Sequence, residues 1–158
     1  MSIEKARKHL RKYGLEEKIK EFELSSATVS LAAAALGCEE ARIAKTLSFS
    51  LGDYPILIVA AGDAKVNNAK YKKVFEKKAK MLAFEEVEAL IGHGVGGVCP
   101  FGVNEGVKVY LDESLRRFDI VYPAAGTANS AVELTITELE LAAEPISWVD
   151  VTLVPSDY

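Results

Sequence analysis

The chain has 158 residues, 49% of them apolar, and a formal net charge of −4. It is long enough to bury a core and too apolar for a disordered segment, and no apolar run approaches the roughly 20 residues that span a bilayer. The N-terminus carries no apolar leader run, and Cys38 and Cys99 make neither a disulfide framework nor a CxxC pair, so the composition suits a soluble protein of the reducing cytoplasm.

The charge is unevenly spread. Residues 1–80 hold 16 Lys/Arg against 10 Asp/Glu, a balance of +6, whereas residues 81–158 hold 3 against 13, a balance of −10. A basic half of this kind presents either solvated helix surfaces or a face for a polyanion.

In chain order, residues 2–13 predict an amphipathic helix with Ile3, Ala6, Leu10 and Tyr13 on one stripe, Ser2 as its cap and Gly14 as its stop. Thr28 can cap a short, alanine-rich helix over Val29–Leu36 that Gly37 ends, and its small side chains favour close packing on a sheet. Residues 42–51 read as a strand in which Ile43, Lys45, Leu47, Phe49 and Leu51 share one parity. Lys45 therefore falls on an apolar face, where it either snorkels out at the sheet edge or stands as a positioned cation at the end of a pocket.

Gly52-Asp53 marks a turn, and Tyr54–Ala61 is a continuous apolar run suited to a central strand. A polar loop follows, then a helix over 68–78 capped by Asn67, with Tyr71, Val74 and Phe75 inward and Lys70, Lys73 and Lys77 outward. With Lys72, Lys78 and Lys80 these form the densest positive patch in the chain, able to neutralise several phosphates without reading sequence.

Met81–Ala83 suggests a short strand and residues 84–91 an acidic helix that delivers the chain into Gly92–Gly102, G-H-G-V-G-G-V-C-P-F-G. Such a stretch is either a plain glycine-rich hairpin loop or a shaped loop that offers bare N–H groups to an anion, a carbonyl or a sugar edge. Pro100 restrains Cys99 to an extended conformation. Beyond it come a strand over Val107–Leu111, a helical turn over Asp112–Arg116 and a strand over Asp119–Tyr122. A second loop of small residues runs from Pro123 to Thr127. A strand over Ser130–Leu134, a helix over Thr137–Ala143 capped by Thr137, and a last strand over Ile146–Val149 complete the chain. Strands and helices without a regular βαβ repeat predict one α+β domain over residues 1–158, a curved mixed sheet with peripheral helices.

The usual catalytic patterns are thin. His93 and Cys99 suggest a thiol nucleophile but have no third orienting group nearby, and Cys99 equally reads as a small residue before proline. Two histidines and two isolated cysteines give no recurring metal-ligand spacing, and the sequence contains no Walker motif or Rossmann turn, so no metal and no nucleotide cofactor is expected.

Three stretches occur in order: A-K-T-L-S-F around Lys45, G-D-A-K-V-N from Gly62, and a G-x-x-x-P from Gly96 to Pro100. Together with the small-residue loop and A-V-E-L-T near the end, they resemble the YbaK/ProX family over nearly the whole chain. That family comprises free-standing relatives of the editing domain inserted in bacterial prolyl-tRNA synthetases. The resemblance implies that fold, with a barrel-like curved sheet, and hydrolysis in trans of the ester between a small mischarged amino acid and tRNA, as in Cys-tRNA(Pro) and Ala-tRNA(Pro) deacylases.

On this reading Lys45 is the essential lysine, and the Gly96–Pro100 loop, through Gly96 and Gly97, offers N–H groups to the aminoacyl carbonyl. Val29, Leu47, Phe49 and Val98, with Cys99 and Pro100 of the loop, would line the amino-acid pocket. Asp63 is either a water-orienting or amine-binding carboxylate or a strand-end turn residue. Lys70, Lys73 and Lys77 would meet the tRNA. The partners implied are the acceptor end of a mischarged tRNA and a synthetase, with no membrane. A second reading keeps the fold without the chemistry, as a binding module for tRNA or a synthetase.

Overall fold

The computed structural model describes residues 2–157. Its centre is the strand pair that the apolar runs mark out, β2 (Ile43–Ser50) and β3 (Pro55–Ala61), antiparallel with Lys45 opposite Ala60 and Leu47 opposite Ile58. Every β3 residue from Ile56 to Ala61 is fully buried, as a strand covered on both faces must be. Around this pair the sheet extends through β5 (Lys108–Asp112), β6 (Ile120–Pro123), β8 (Leu134–Thr135) and β9 (Ser147–Val149). The six strands run in the order β8-β6-β2-β3-β5-β9 and curl into a half-barrel. They pair in parallel at β6/β2, β3/β5 and β5/β9 and antiparallel at the other two junctions. The fold is thus the mixed α+β architecture expected.

Two small sheets complete it: β1 (Ile19–Glu21) with β7 (Ser130–Val132), and β4 (Lys65–Val66) with β10 (Thr152–Leu153). The sequence reading ended the strands at Val149 and left residues 65–66 in a loop. Two-residue strands have no periodicity to detect, and this one exists because the chain end folds back on the exit of β3.

The helices follow their caps. α1 (Ser2–Arg11) buries Ile3, Ala6 and Leu10, while the side chain of Ser2, the expected cap, is outside what the structure describes. α2 (Val29–Leu36) starts at Thr28, whose side chain accepts from Leu31 N, and stops at Gly37. α3 (Asn68–Phe75) is capped by Asn67 but ends three residues earlier than predicted, where Glu76 takes φ +60°. Tyr71 and Phe75, one turn apart, set its inward stripe; Val74 lies off that stripe and is exposed, against expectation. α4 (Phe84–Ile91) matches its prediction. α5 (Ile136–Ala143) begins one residue earlier than predicted, because Thr135 and not Thr137 is its cap: Thr135 and Glu138 form a reciprocal capping box. No helix among the described residues is long and apolar enough to cross a membrane.

One buried polar cluster fixes the end of β3. The Asp112 carboxylate accepts from Ser114 N, Val151 N and Thr152 Oγ1 at 2.7–2.9 Å, and the Ser114 hydroxyl accepts from Ala61 N at 3.0 Å. These bonds hold the turn after β3 in place, and that turn carries the carbonyls that meet Lys45.

Candidate active site

An interruption in the sheet creates the site. β6 accompanies β2 only at Ile43 and Ala44, and the next contact on that side is the single bridge from Phe49 to Met81. Beside the four β2 residues between them, Lys45–Ser48, lies a cavity of about 450 Å³. Thr28, Val29 and Ala32 of α2 close one side, Val95, Gly96 and Val98 of the glycine loop another. Tyr122, Ala124 and Ser130 complete it from the β6 end. The lining is mostly apolar with a few polar groups, the usual make-up of a small-ligand site.

Lys45 is half-buried, and its ammonium donates to the carbonyls of Gly62, at 3.4 Å, and Ala64. An ammonium has three N–H donors, so one is left over on a side chain that lines the cavity. Burial pushes the Lys45 amine below the ordinary lysine value, opposed by the nearby Asp63 and Asp112 carboxylates and reinforced by Lys65. Of the alternatives left open by the sequence, Lys45 is the positioned cation and does not snorkel out.

Its neighbour Thr46 also lines the cavity, and its Oγ1 is buried without a hydrogen-bond partner. An orphaned hydroxyl in a native interior is costly unless something else completes it. Sequence reading missed Thr46 because T-L-S-F-S looks like a polar, solvent-facing parity. The signal was there: Thr46, Ser48 and Ser50 alternate along a strand whose two faces are both covered.

The glycine loop is shaped as a turn. Gly97 N donates to Gly94 O at 3.0 Å, with Gly96 at φ +96° in the third position, which suits glycine. No hydrogen bond among the described residues uses the Gly96 or Val98 N–H. Gly97 is a correction. Its N–H belongs to Gly94, it does not line the cavity, and it cannot serve as a donor to substrate. It is needed for close approach, since a Cβ there would stand 2.5 Å from Gly126 C and Thr127 N. The two small-residue loops thus lock backbone to backbone, holding Gly96 and Val98 against the cavity.

Cys99 and Pro100 are buried behind that loop and do not line the cavity, contrary to their expected place in the pocket. The thiol lies 3.5 Å from His93 Nε2 and 3.6 Å from Phe101 O, and burial pushes it up to about 12. His93 is itself fully buried, with Nε2 2.6 Å from Phe101 O, and burial pushes its imidazole down. A protonated, inaccessible thiol is no nucleophile. Replacing Cys99 by alanine is therefore expected to leave hydrolysis of any substrate unchanged in a time course beside the wild type; its loss would reinstate the thiol.

Asp63 is also corrected. Its carboxylate is forked by Arg117, at 2.5 and 3.1 Å, and that bond holds it below the usual carboxylate range despite partial burial. It does not line the cavity, and reaches the site only as a charge near Lys45. Of the other expected walls, Val29, Leu47 and Val98 line the cavity, whereas Phe49 packs with Tyr71 in a separate part of the core.

The lysine patch divides. Lys70 is engaged by Asp150 and Thr152 O, both at 2.9 Å, and Lys77 donates to Leu51 O at 2.6 Å. Lys73 is exposed, as are Lys72, Lys78 and Lys80, and these four have no ion pair among the described residues.

The fold is similar to that of a solved structure provisionally described as a trans-editing enzyme for prolyl tRNA synthetase. The two align with a TM-score of 0.86 and 28% identity over 96% of this chain and 97% of that one. Residues 25–141 match the aminoacyl-tRNA editing domain family, and the chain belongs to it. This is the YbaK-like family to which Lys45 and the Gly96–Pro100 stretch pointed. An uncharacterized Bacillus subtilis protein, YwhH, is 50% identical over 152 residues, 96% of this chain and 97% of its own. An Enterococcus faecalis protein provisionally named the Cys-tRNA(Pro)/Cys-tRNA(Cys) deacylase EbsC is 31% identical over 105 residues, 65% of this chain and 63% of its own.

Proposed function

We propose that the chain acts in trans, in the cytoplasm, as a hydrolase of the ester joining a small mischarged amino acid to tRNA. The observation that carries this reading is one small, mostly apolar cavity lined by Lys45, whose ammonium keeps an unused donor, and by Gly96, whose N–H has no hydrogen bond among the described residues. Family membership and the relatives' names support it.

The reaction needs little from the protein beyond positioning. A positioned water, its attack assisted by the free hydroxyl of the terminal ribose, adds to the ester carbonyl, and charge gathers on the carbonyl oxygen. The bond to the ribose oxygen then breaks and that oxygen takes the proton the water gives up, releasing the amino acid and intact tRNA. Lys45 and Gly96 supply donors for the developing oxyanion, a preorganised arrangement that dominates many such catalyses. Holding the ester and its nucleophile together can supply about 7–11 kcal/mol in the best intramolecular cases. Among the described residues no His, Asp, Glu or Cys lines the cavity, so an outside nucleophile suits it better than a protein one. The unpaired lysines Lys72, Lys73, Lys78 and Lys80 form the basic face for the acceptor end.

Size sets the amino acid. The walls Val29, Leu47 and Val98 admit a short side chain, and each methylene of excess or deficit is worth about 1–3 kcal/mol. Release of labelled amino acid from a panel of mischarged tRNAs tests this. Alanine, serine or cysteine esters should be hydrolysed and leucine or phenylalanine esters spared; equal rates for small and large side chains would contradict the pocket assignment.

A further inference from the structure

At the mouth of the cavity two large apolar side chains stand unusually open. Phe84 is 72% exposed and Met81 56% exposed, and both also line the cavity. Single exposed apolar residues need no explanation, but an adjacent pair at the entrance of a site does. The segment that carries Met81 is pinned to β2, through Ser50 N to Lys80 O at 2.8 Å and Leu82 N to Ser48 O at 3.1 Å. Phe84 opens α4 at once after it. The pair is therefore held in place as a shelf.

Charge gives the shelf a direction. The residues just before Met81 include exposed Lys78 and Lys80, and α4, which follows it, carries exposed Glu85, Glu86 and Glu88. A polyanion can approach along the lysines and not along α4. An ester bound in the cavity puts its ribose at the mouth, and the base on that ribose is only one glycosidic bond further out. We infer that Phe84 and Met81 receive the 3′-terminal base of the tRNA by stacking, while the preceding phosphates run over Lys80 and Lys78. This rests on the proposed function and adds the nucleotide subsite to it. Stacking on an exposed aromatic tolerates any base and is the common device of single-stranded nucleic-acid binding.

The test uses an uncharged RNA hairpin ending in CCA, with affinity read by fluorescence anisotropy, and the same hairpin aminoacylated, with hydrolysis read as kcat and KM. Phe84→Ala should weaken binding about fivefold or more, the range expected for one stacked base, and raise KM with kcat unchanged. Phe84→Tyr should restore both and Phe84→Leu should not. A hairpin with an abasic 3′ residue should bind wild type and Phe84→Ala alike. Unchanged affinity in Phe84→Ala, or full rescue by leucine, would overturn the stacking assignment and mark the shelf as an apolar contact for a protein. Wild type that hydrolyses the charged hairpin with no dependence on Phe84 overturns this inference alone. Phe84-dependent binding without hydrolysis overturns the proposed reaction and leaves the nucleotide subsite standing.

Discussion

Replacing Lys45 by alanine should lower single-turnover hydrolysis about 100- to 1,000-fold, the usual cost of removing one donor from a developing oxyanion. Two carbonyls, of Gly62 and Ala64, already hold the ammonium, so its remaining donor is fixed before substrate arrives. Arginine should not rescue, because a planar guanidinium cannot reach both carbonyls and the substrate from a single nitrogen as the ammonium does. The same geometry predicts a pH dependence. Burial lowers the Lys45 value below the ordinary 10.5, and only the protonated amine carries the charge and the third N–H. The ratio of the wild-type rate to the Lys45→Ala rate, which cancels the hydroxide dependence common to both, should therefore fall as pH rises, with a midpoint below 10.5. A ratio flat through that region would show that the Lys45 charge is not used.

The second large effect is at a residue with no chemistry. Alanine at Gly97 would put a Cβ 2.5 Å from the backbone of Gly126 and Thr127, atoms that cannot step aside as a flexible side-chain tip could. Overpacking of this kind costs about 1–3 kcal/mol. In a chain of this size each kcal/mol lowers Tm by about 2–4 °C, and thermal denaturation will show it. Hydrolysis should suffer more than stability, since the relieved clash displaces Gly96 and Val98, and a shift of about 1 Å in a catalytic group can cost about 100-fold. A Gly97→Ala protein with native Tm and native rate would mean that the two loops do not need to meet. Gly94→Ala is the control, with only the Glu88 side chain near its Cβ.

Much of the fold was legible because its signals are local. Thr28 and Gly37 bound α2, Asn67 starts α3, and the apolar run after Gly52-Asp53 is the buried central strand. Errors came where tertiary contacts decide. The cap of α5 moved to Thr135 because Glu138 reciprocates there, and β4 exists only because β10 returns to it. The site was legible in part for the same reason. A lysine on an apolar parity stands out in any strand, and Lys45 does line the cavity. What a loop residue faces cannot be read from spacing, however. Gly96 and Val98 face the cavity while Gly97, Cys99 and Pro100, interleaved with them, face the second loop or the core. Asp63 was drawn to Arg117, 54 positions away, a partner that no motif announces. The alternation of Thr46, Ser48 and Ser50 marks a polar parity, but that the Thr46 hydroxyl is buried without a partner is a matter of packing that spacing does not show.

The central claim, that this cavity hydrolyses an aminoacyl ester, is tested most directly by single-turnover release of labelled amino acid from tRNA mischarged with alanine or cysteine, wild type beside Lys45→Ala. Rapid release by the wild type, reduced to near the spontaneous rate in the variant, is the result expected. Release that survives Lys45→Ala would place the chemistry elsewhere in the molecule, and no release from either ester by the wild type, with tRNA still bound, would make the chain a binding module that keeps the fold without the reaction.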